Sequence, residues 1–129
     1  RSLRDGDRAV AQRRGTRAVR TLIPQLSPAD VVRWRADPAR PAPLLVDVRE
    51  PWEFHVCHIA GSLHIPLGQL PAQIEGLPQD RPLVLVCHHG HRSLHAANWL
   101  QRMGFADVHN LRGGVAAWAT EVDPGMPVY

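Results

Sequence analysis

The chain has 129 residues, enough for one ordinary domain and too few for two. Its net charge of +3 is unevenly placed: all fifteen basic residues are arginine, and positions 1–20 hold seven of them against Asp5 and Asp7, about +5, which leaves about −2 for positions 21–129. The basic balance therefore belongs to the leading segment and gives no ground for nucleic-acid binding by the rest, no apolar run is long enough to cross a bilayer, and two cysteines thirty positions apart are not a disulfide framework.

Positions 1–20 mix charged and small residues without a sustained period and read as a flexible basic tail, with the domain over 21–129. No signal-peptide core precedes it, and the chain starts with Arg1 rather than Met, which leaves room for residues upstream. A soluble protein of a reducing, cytoplasmic compartment is expected. Leu22-Ile23 suits a short edge strand. Ser27, Pro28 and Asp30 supply an N-cap, a proline at the first helical position and an early acid, so a helix is expected to run to Ala36 before the proline-rich loop at 37–43.

Positions 44–48 form a second apolar strand that Asp47 interrupts near its carboxyl end. A buried carboxylate must be paired, so Asp47 requires a partner such as Arg49, His58 or loop amides, and Asp47 with Arg49 reads as support for a site edge. Glu50-Pro51 starts a short helix through Phe54, with Trp52 and Phe54 as packing groups. Cys57 is either a resolving thiol or a filler. Positions 63–66 read as an edge strand because of Pro66, and 70–75 as a short helix with Pro71 in its first turn.

Leu83 to Val86 has no polar alternation, as expected of a strand buried on both faces of a parallel sheet. It stops at Cys87-His88-His89-Gly90-His91-Arg92-Ser93, after which Ala96, Ala97, Leu100 and Met103 mark one face of a helix that Gly104 terminates and Phe105 closes. A last strand at 107–111, a turn at Gly113-Gly114 and a helix at 115–120 complete the alternation. The pattern predicts a three-layer α/β domain with a mainly parallel sheet.

Cys87 thus falls at the carboxyl end of a strand, where open α/β sheets place their ligands, just before a helix amino terminus. Backbone N–H groups curling round a loop stabilise a thiolate and attract an anion, Arg92 adds a permanent cation, and Gly90 lets the loop turn tightly. His88, His89 and His91 add charge if protonated. The expectation is a reactive Cys87.

Cys87-His88-His89-Gly90-His91-Arg92-Ser93 resembles the active-site loop of rhodanese-like sulfurtransferases. Leu45-Val46-Asp47-Val48-Arg49-Glu50, followed by Trp52-Glu53-Phe54 and His58-Ile59-Ala60-Gly61-Ser62, resembles the family's strand-two region, though the family usually has glycine where Cys57 stands and alanine where Ser62 stands. Leu111-Arg112-Gly113-Gly114-Val115-Ala116-Ala117-Trp118 resembles its final Gly-Gly and tryptophan helix. The resemblance implies a single-domain, five-stranded sheet of order 1-5-4-2-3. It also implies transfer of sulfane sulfur from an anionic donor such as thiosulfate to cyanide or a thiol through a persulfide on Cys87. His88, His89, Gly90, His91, Arg92 and Ser93 would then bind substrate, with no cofactor and no metal.

Three other readings compete. A cysteine phosphatase or arsenate reductase also uses a thiolate in an amide-lined loop, but four residues separate Cys87 from Arg92, one fewer than that chemistry needs for a tetrahedral phosphoryl group. A metal module on Cys87, His88, His89, His91 and His95 lacks a converging frame, because adjacent loop residues rarely point to one ion. A sulfur carrier or interaction module would take a protein partner in place of a small acceptor.

Overall fold

The computed structural model describes residues 22–129, so the basic tail and the domain start expected at Thr21 lie outside the described residues. In chain order come β1 (Gln25–Leu26), α1 (Pro28–Ala36), β2 (Leu44–Asp47), α2 (Pro51–Val56), β3 (Leu63–His64), α3 (Leu70–Gln73), β4 (Leu83–Val86), α4 (His91–Arg102), β5 (Val108–Leu111) and α5 (Gly114–Glu121). Single 3-10 turns at Leu67–Gln69 and Ile74–Gly76 flank α3. The sheet runs β1-β5-β4-β2-β3, and among the described residues every pairing is parallel, so the sheet expected to be mainly parallel is wholly so.

Strand β4 shows why such a sheet needs helices on both sides. Its residues are all buried, and the two-residue period sends them alternately to opposite faces. Leu83, Leu85 and Cys87 join one core with Ala96, Ala97 and Leu100 of α4 and Leu70 of α3. Val84 and Val86 join the other, with Val31 and Trp34 of α1 and Val115 and Trp118 of α5. The three expected layers follow directly. Helix α1 starts as its sequence dictates: Ser27 Oγ accepts the Asp30 N–H at 3.1 Å and Asp30 Oδ2 accepts the Ser27 N–H at 2.9 Å.

The differences from expectation lie where tertiary hydrogen bonds, and not local pattern, set the outcome. The first strand is Gln25–Leu26 instead of Leu22-Ile23; Leu22 is 93 % exposed, and register is fixed by the Asn110 N–H donating to Pro24 O and the Arg112 N–H to Leu26 O. Met103 is 48 % exposed, because α4 ends at Arg102 and the chain turns away through Gly104 at φ +103°, with the Phe105 N–H closing on Leu100 O at 3.1 Å. Trp52, expected to pack, is 60 % exposed and, among the described residues, meets one ring, that of Tyr129, edge-on at 5.5 Å. Among the described residues no helix is long and apolar enough to cross a membrane.

Candidate active site

Strand β4 delivers Cys87 to the carboxyl edge of the sheet with 1 % of its surface exposed. Gly90 then adopts φ +97°, a left-handed conformation that costs glycine little, and becomes the cap of α4. The reversal swings two amides onto the sulfur: the Gly90 N–H lies 3.1 Å and the Ser93 N–H 3.3 Å from Cys87 Sγ. The Ser93 hydroxyl is 3.2 Å away. On the other side, α5 accepts the loop's carbonyls, with the Val115 N–H donating to Cys87 O at 2.9 Å and the Ala116 N–H to His88 O at 3.1 Å. That approach is possible only because residue 114 is glycine; a Cβ there would overlap both carbonyls.

The Ser93 hydroxyl sits between two acceptors and has one proton to give. Asn110 Nδ2 donates to Gln25 Oε1 at 2.9 Å and Gly90 O at 3.1 Å, which turns Asn110 Oδ1 towards Ser93. With a thiol at 87, the hydroxyl donates to Asn110 and accepts the S–H; with a thiolate, it turns to the sulfur. Ionised Cys87 therefore has two amides and one hydroxyl available as donors.

Two arginine–carboxylate pairs stand beside the loop. Asp47 and Arg49 are both fully buried. Arg49 Nε lies 2.9 Å from Asp47 Oδ1 and 3.1 Å from Oδ2, and its Nη2 lies 2.7 Å from Oδ2. The remaining donors of the guanidinium reach Glu53 O, Cys57 O and the Tyr129 hydroxyl. Burial pulls the Arg49 pKa down, but its hydrogen bonds to Asp47 and Tyr129 more than offset this and leave it raised. His58, named above as a possible partner for Asp47, bonds Phe54 O instead.

The second pair is Glu53 with Arg92, a two-pronged bridge with both N–O distances at 2.8 Å. Glu53 also accepts the Glu50 N–H on Oε1 and the Tyr129 hydroxyl on Oε2, each at 2.9 Å. The Arg92 bond is the main reason that the Glu53 carboxyl is held down to about 2, against the opposing effect of burial. The same bond keeps Arg92 above its ordinary value. Tyr129 is pushed up to about 12, chiefly by burial. Its ring stacks on His88 at 4.0 Å, and burial, followed by neighbouring His89, lowers the His88 pKa and favours its neutral form.

The sequence-expected residues thus separate by position. Gly90 and Ser93 point donors at Cys87, and Arg92 stands at the rim with 38 % of its side chain exposed. His88 is half-buried under Tyr129, while His89 and His91 are exposed and border a cavity of about 300 Å³ with Gln25, Asn110 and Arg112. Asp47 and Arg49 form a buried pair linked to the loop through Tyr129, whose hydroxyl accepts from Arg49 and whose ring stacks on His88. Cys57 lies in the core on the α1 and α5 face, opposite the face that holds Cys87, and both cysteines are free. Among the described residues no group of three or more His, Cys, Asp or Glu is placed to hold a metal ion.

Glu53, Asn110 and Tyr129 were not singled out in advance. Glu53 lies 39 residues from Arg92 and Tyr129 lies 80 from Arg49, so no local spacing announces them. Only the Glu at the third position of a proline-started helix gives a partial signal, and that signal is for a helix cap.

A parallel five-stranded sheet with a cysteine loop at its carboxyl edge is a rhodanese-type arrangement, and the Rhodanese-like domain model matches residues 27–121. The chain belongs to the rhodanese-like domain family and is a thiosulfate sulfurtransferase (rhodanese)-like enzyme. It is 44 % identical over 77 residues to the thiosulfate sulfurtransferase GlpE of Pseudomonas fluorescens, covering 60 % of this chain and 71 % of that protein. With the thiosulfate sulfurtransferase GlpE of Pseudomonas aeruginosa it shares 38 % over 94 residues, covering 73 % and 82 % respectively. The solved structure of a rhodanese-related protein from Thermoplasma volcanium superposes with a TM-score of 0.68 at 29 % identity, covering 82 % of this chain and 97 % of that one.

Proposed function

We propose that this protein moves sulfane sulfur from an anionic small-molecule donor such as thiosulfate to cyanide or a thiol, through a persulfide on Cys87. The supporting observation is the convergence of the Gly90 and Ser93 amides and the Ser93 hydroxyl on one sulfur atom. The thiolate is the nucleophilic form of cysteine, and donors fixed round it in a water-poor pocket hold the charge of both thiolate and persulfide.

In the first half-reaction Cys87 Sγ attacks the outer sulfur of thiosulfate. A new S–S bond forms, the old one breaks, and sulfite leaves with the bonding pair, so Cys87 carries the persulfide anion and the total charge is unchanged. In the second, cyanide or a thiolate attacks the outer persulfide sulfur, leaving as thiocyanate or a new persulfide and returning the Cys87 thiolate. Arg92 at the rim, with His88, His89 and His91, receives the departing oxyanion and frames access. Asp47 and Arg49 support the loop through Tyr129. The GlpE relatives by name act on thiosulfate, which makes it the first donor to test.

The same reading divides the chain into a basic tail at 1–20 and a domain at 21–129, and places it in a reducing cytoplasm, as its two free cysteines suit. Mass spectrometry after incubation with thiosulfate is expected to find one added sulfur on Cys87, with no adduct and no thiocyanate from Cys87→Ala. Absence of the adduct in the unmodified protein, or turnover surviving in Cys87→Ala, rejects the mechanism, and rapid hydrolysis of a generic aryl phosphate would favour phosphatase chemistry instead.

A further inference from the structure

We propose that Glu53 is a positioning residue that sets the charge selectivity of the sulfur-donor site by neutralising Arg92; the inference rests on the persulfide reading above. Arg92 is the cation at the rim of the loop, and the charge an incoming anion meets there depends on what already holds the guanidinium. Glu53 holds it with both carboxylate oxygens at 2.8 Å. The carboxylate is itself locked by the Glu50 N–H and the Tyr129 hydroxyl, so it is not free to swing aside. Beneath it, the Arg49 charge is cancelled by Asp47, and His88 is biased to its neutral form.

A fork already filled on one edge offers an anion only its remaining N–H groups and little net charge. The loop amides still bind an oxyanion, but they do so as dipoles, and dipoles discriminate a dianion from a monoanion less than a free guanidinium does. Tyr129 extends the same arrangement: its hydroxyl bridges Glu53 and Arg49 while its ring lies over His88. The donor site therefore reads the sulfonyl-sulfur group and is nearly indifferent to a second negative charge.

Two donors that share the reacting S–S bond and differ in charge test this: thiosulfate, a dianion, and methanethiosulfonate, a monoanion that releases methanesulfinate. In Glu53→Gln the carboxylate charge is gone while the shape is kept. The ratio of KM for thiosulfate to KM for methanethiosulfonate is expected to fall about fivefold relative to the unmodified protein, the size of one extra unit charge acting at short range in a watery setting. Glu53→Asp keeps the charge and disturbs the geometry, and is expected to leave that ratio within about twofold. Equal changes for both donors in Glu53→Gln would mean that Glu53 is only structural, and would overturn the proposal.

Should Glu53→Gln fail to fold, product inhibition of the unmodified protein gives an independent reading at mildly alkaline pH, where sulfite is a dianion. Inhibition constants for sulfite and methanesulfinate are expected to agree within about threefold, and a preference of about tenfold or more for sulfite overturns the proposal. Absence of a Cys87 persulfide with either donor would instead sink the underlying function, so the two failures are told apart.

Discussion

Arg49 and Arg92 make nearly the same bond, a guanidinium fork on a carboxylate, yet they stand in different surroundings. The Asp47–Arg49 pair is wholly buried and every donor of its guanidinium is used, whereas Arg92 keeps 38 % of its side chain in solvent. The buried pair is a packed object whose two halves cannot be separated without a large loss of stability. At the rim, water competes with the bond, and the pair matters more for the field it presents than for the energy it contributes.

Removing one half of each pair should bring this contrast out. Arg49→Met leaves the Asp47 carboxylate buried without its counter-charge and is expected to cost about 3–5 kcal/mol, read as a lower urea midpoint at neutral pH. A loss under about 1 kcal/mol would mean that the Asp47–Arg49 pair has access to water and resembles the Glu53–Arg92 pair.

Acid titration addresses the rim. Glu53 has a lowered folded-state pKa, so its contribution is complete above the unfolded value of 4.5 and is lost as pH falls through about 2. Across that window Glu53→Gln is expected to flatten the pH dependence of the unfolding free energy, obtained from urea denaturation, by about 1–2 kcal/mol, the full shift being discounted for screening at partly exposed Arg92. An unchanged slope would show that the bond to Arg92 is not what holds the carboxylate ionised.

The smallest effect is expected at the link between the two pairs. Tyr129→Phe removes one hydrogen bond from each and is expected to cost about 1 kcal/mol, since solvent reaches part of the vacated space. The same change should abolish the alkaline loss of stability that Tyr129 causes between pH 10 and about 12, where its raised pKa favours the folded state only while the phenol stays protonated. Chemical denaturation across that range checks both.

The parallel sheet and the placement of Cys87 were legible because apolar runs, caps and glycines act within a few residues of one another, whereas the order of the strands came only from the family resemblance. Ser27 with Asp30 specifies its helix start locally, and Leu83 to Val86 declares burial on two faces without reference to the rest of the chain. Glu53, Asn110 and Tyr129 were illegible for the opposite reason. Each acquires its role from a partner between 17 and 85 residues away, and an ordinary acid, amide or phenol carries no mark of that partner in its neighbours. Trp52 misleads for a related reason: bulk and apolarity predict burial, but α2 turns that side chain outward and uses Glu53 on its inner face. Cys57 and Cys87 belong to cores on opposite faces of the sheet, which supports the packing alternative for Cys57.

That partition has a chemical aftermath. Many dithiol proteins discharge an oxidised cysteine by folding it onto a neighbour, releasing the outer atom and sealing a disulfide. Here Cys57 and Cys87 belong to cores on opposite faces of the sheet, so the persulfide proposed for Cys87 has no second thiol on its own face, among the described residues, onto which to unload. On that proposal, the lifetime of the cargo is set by whatever nucleophile arrives from outside.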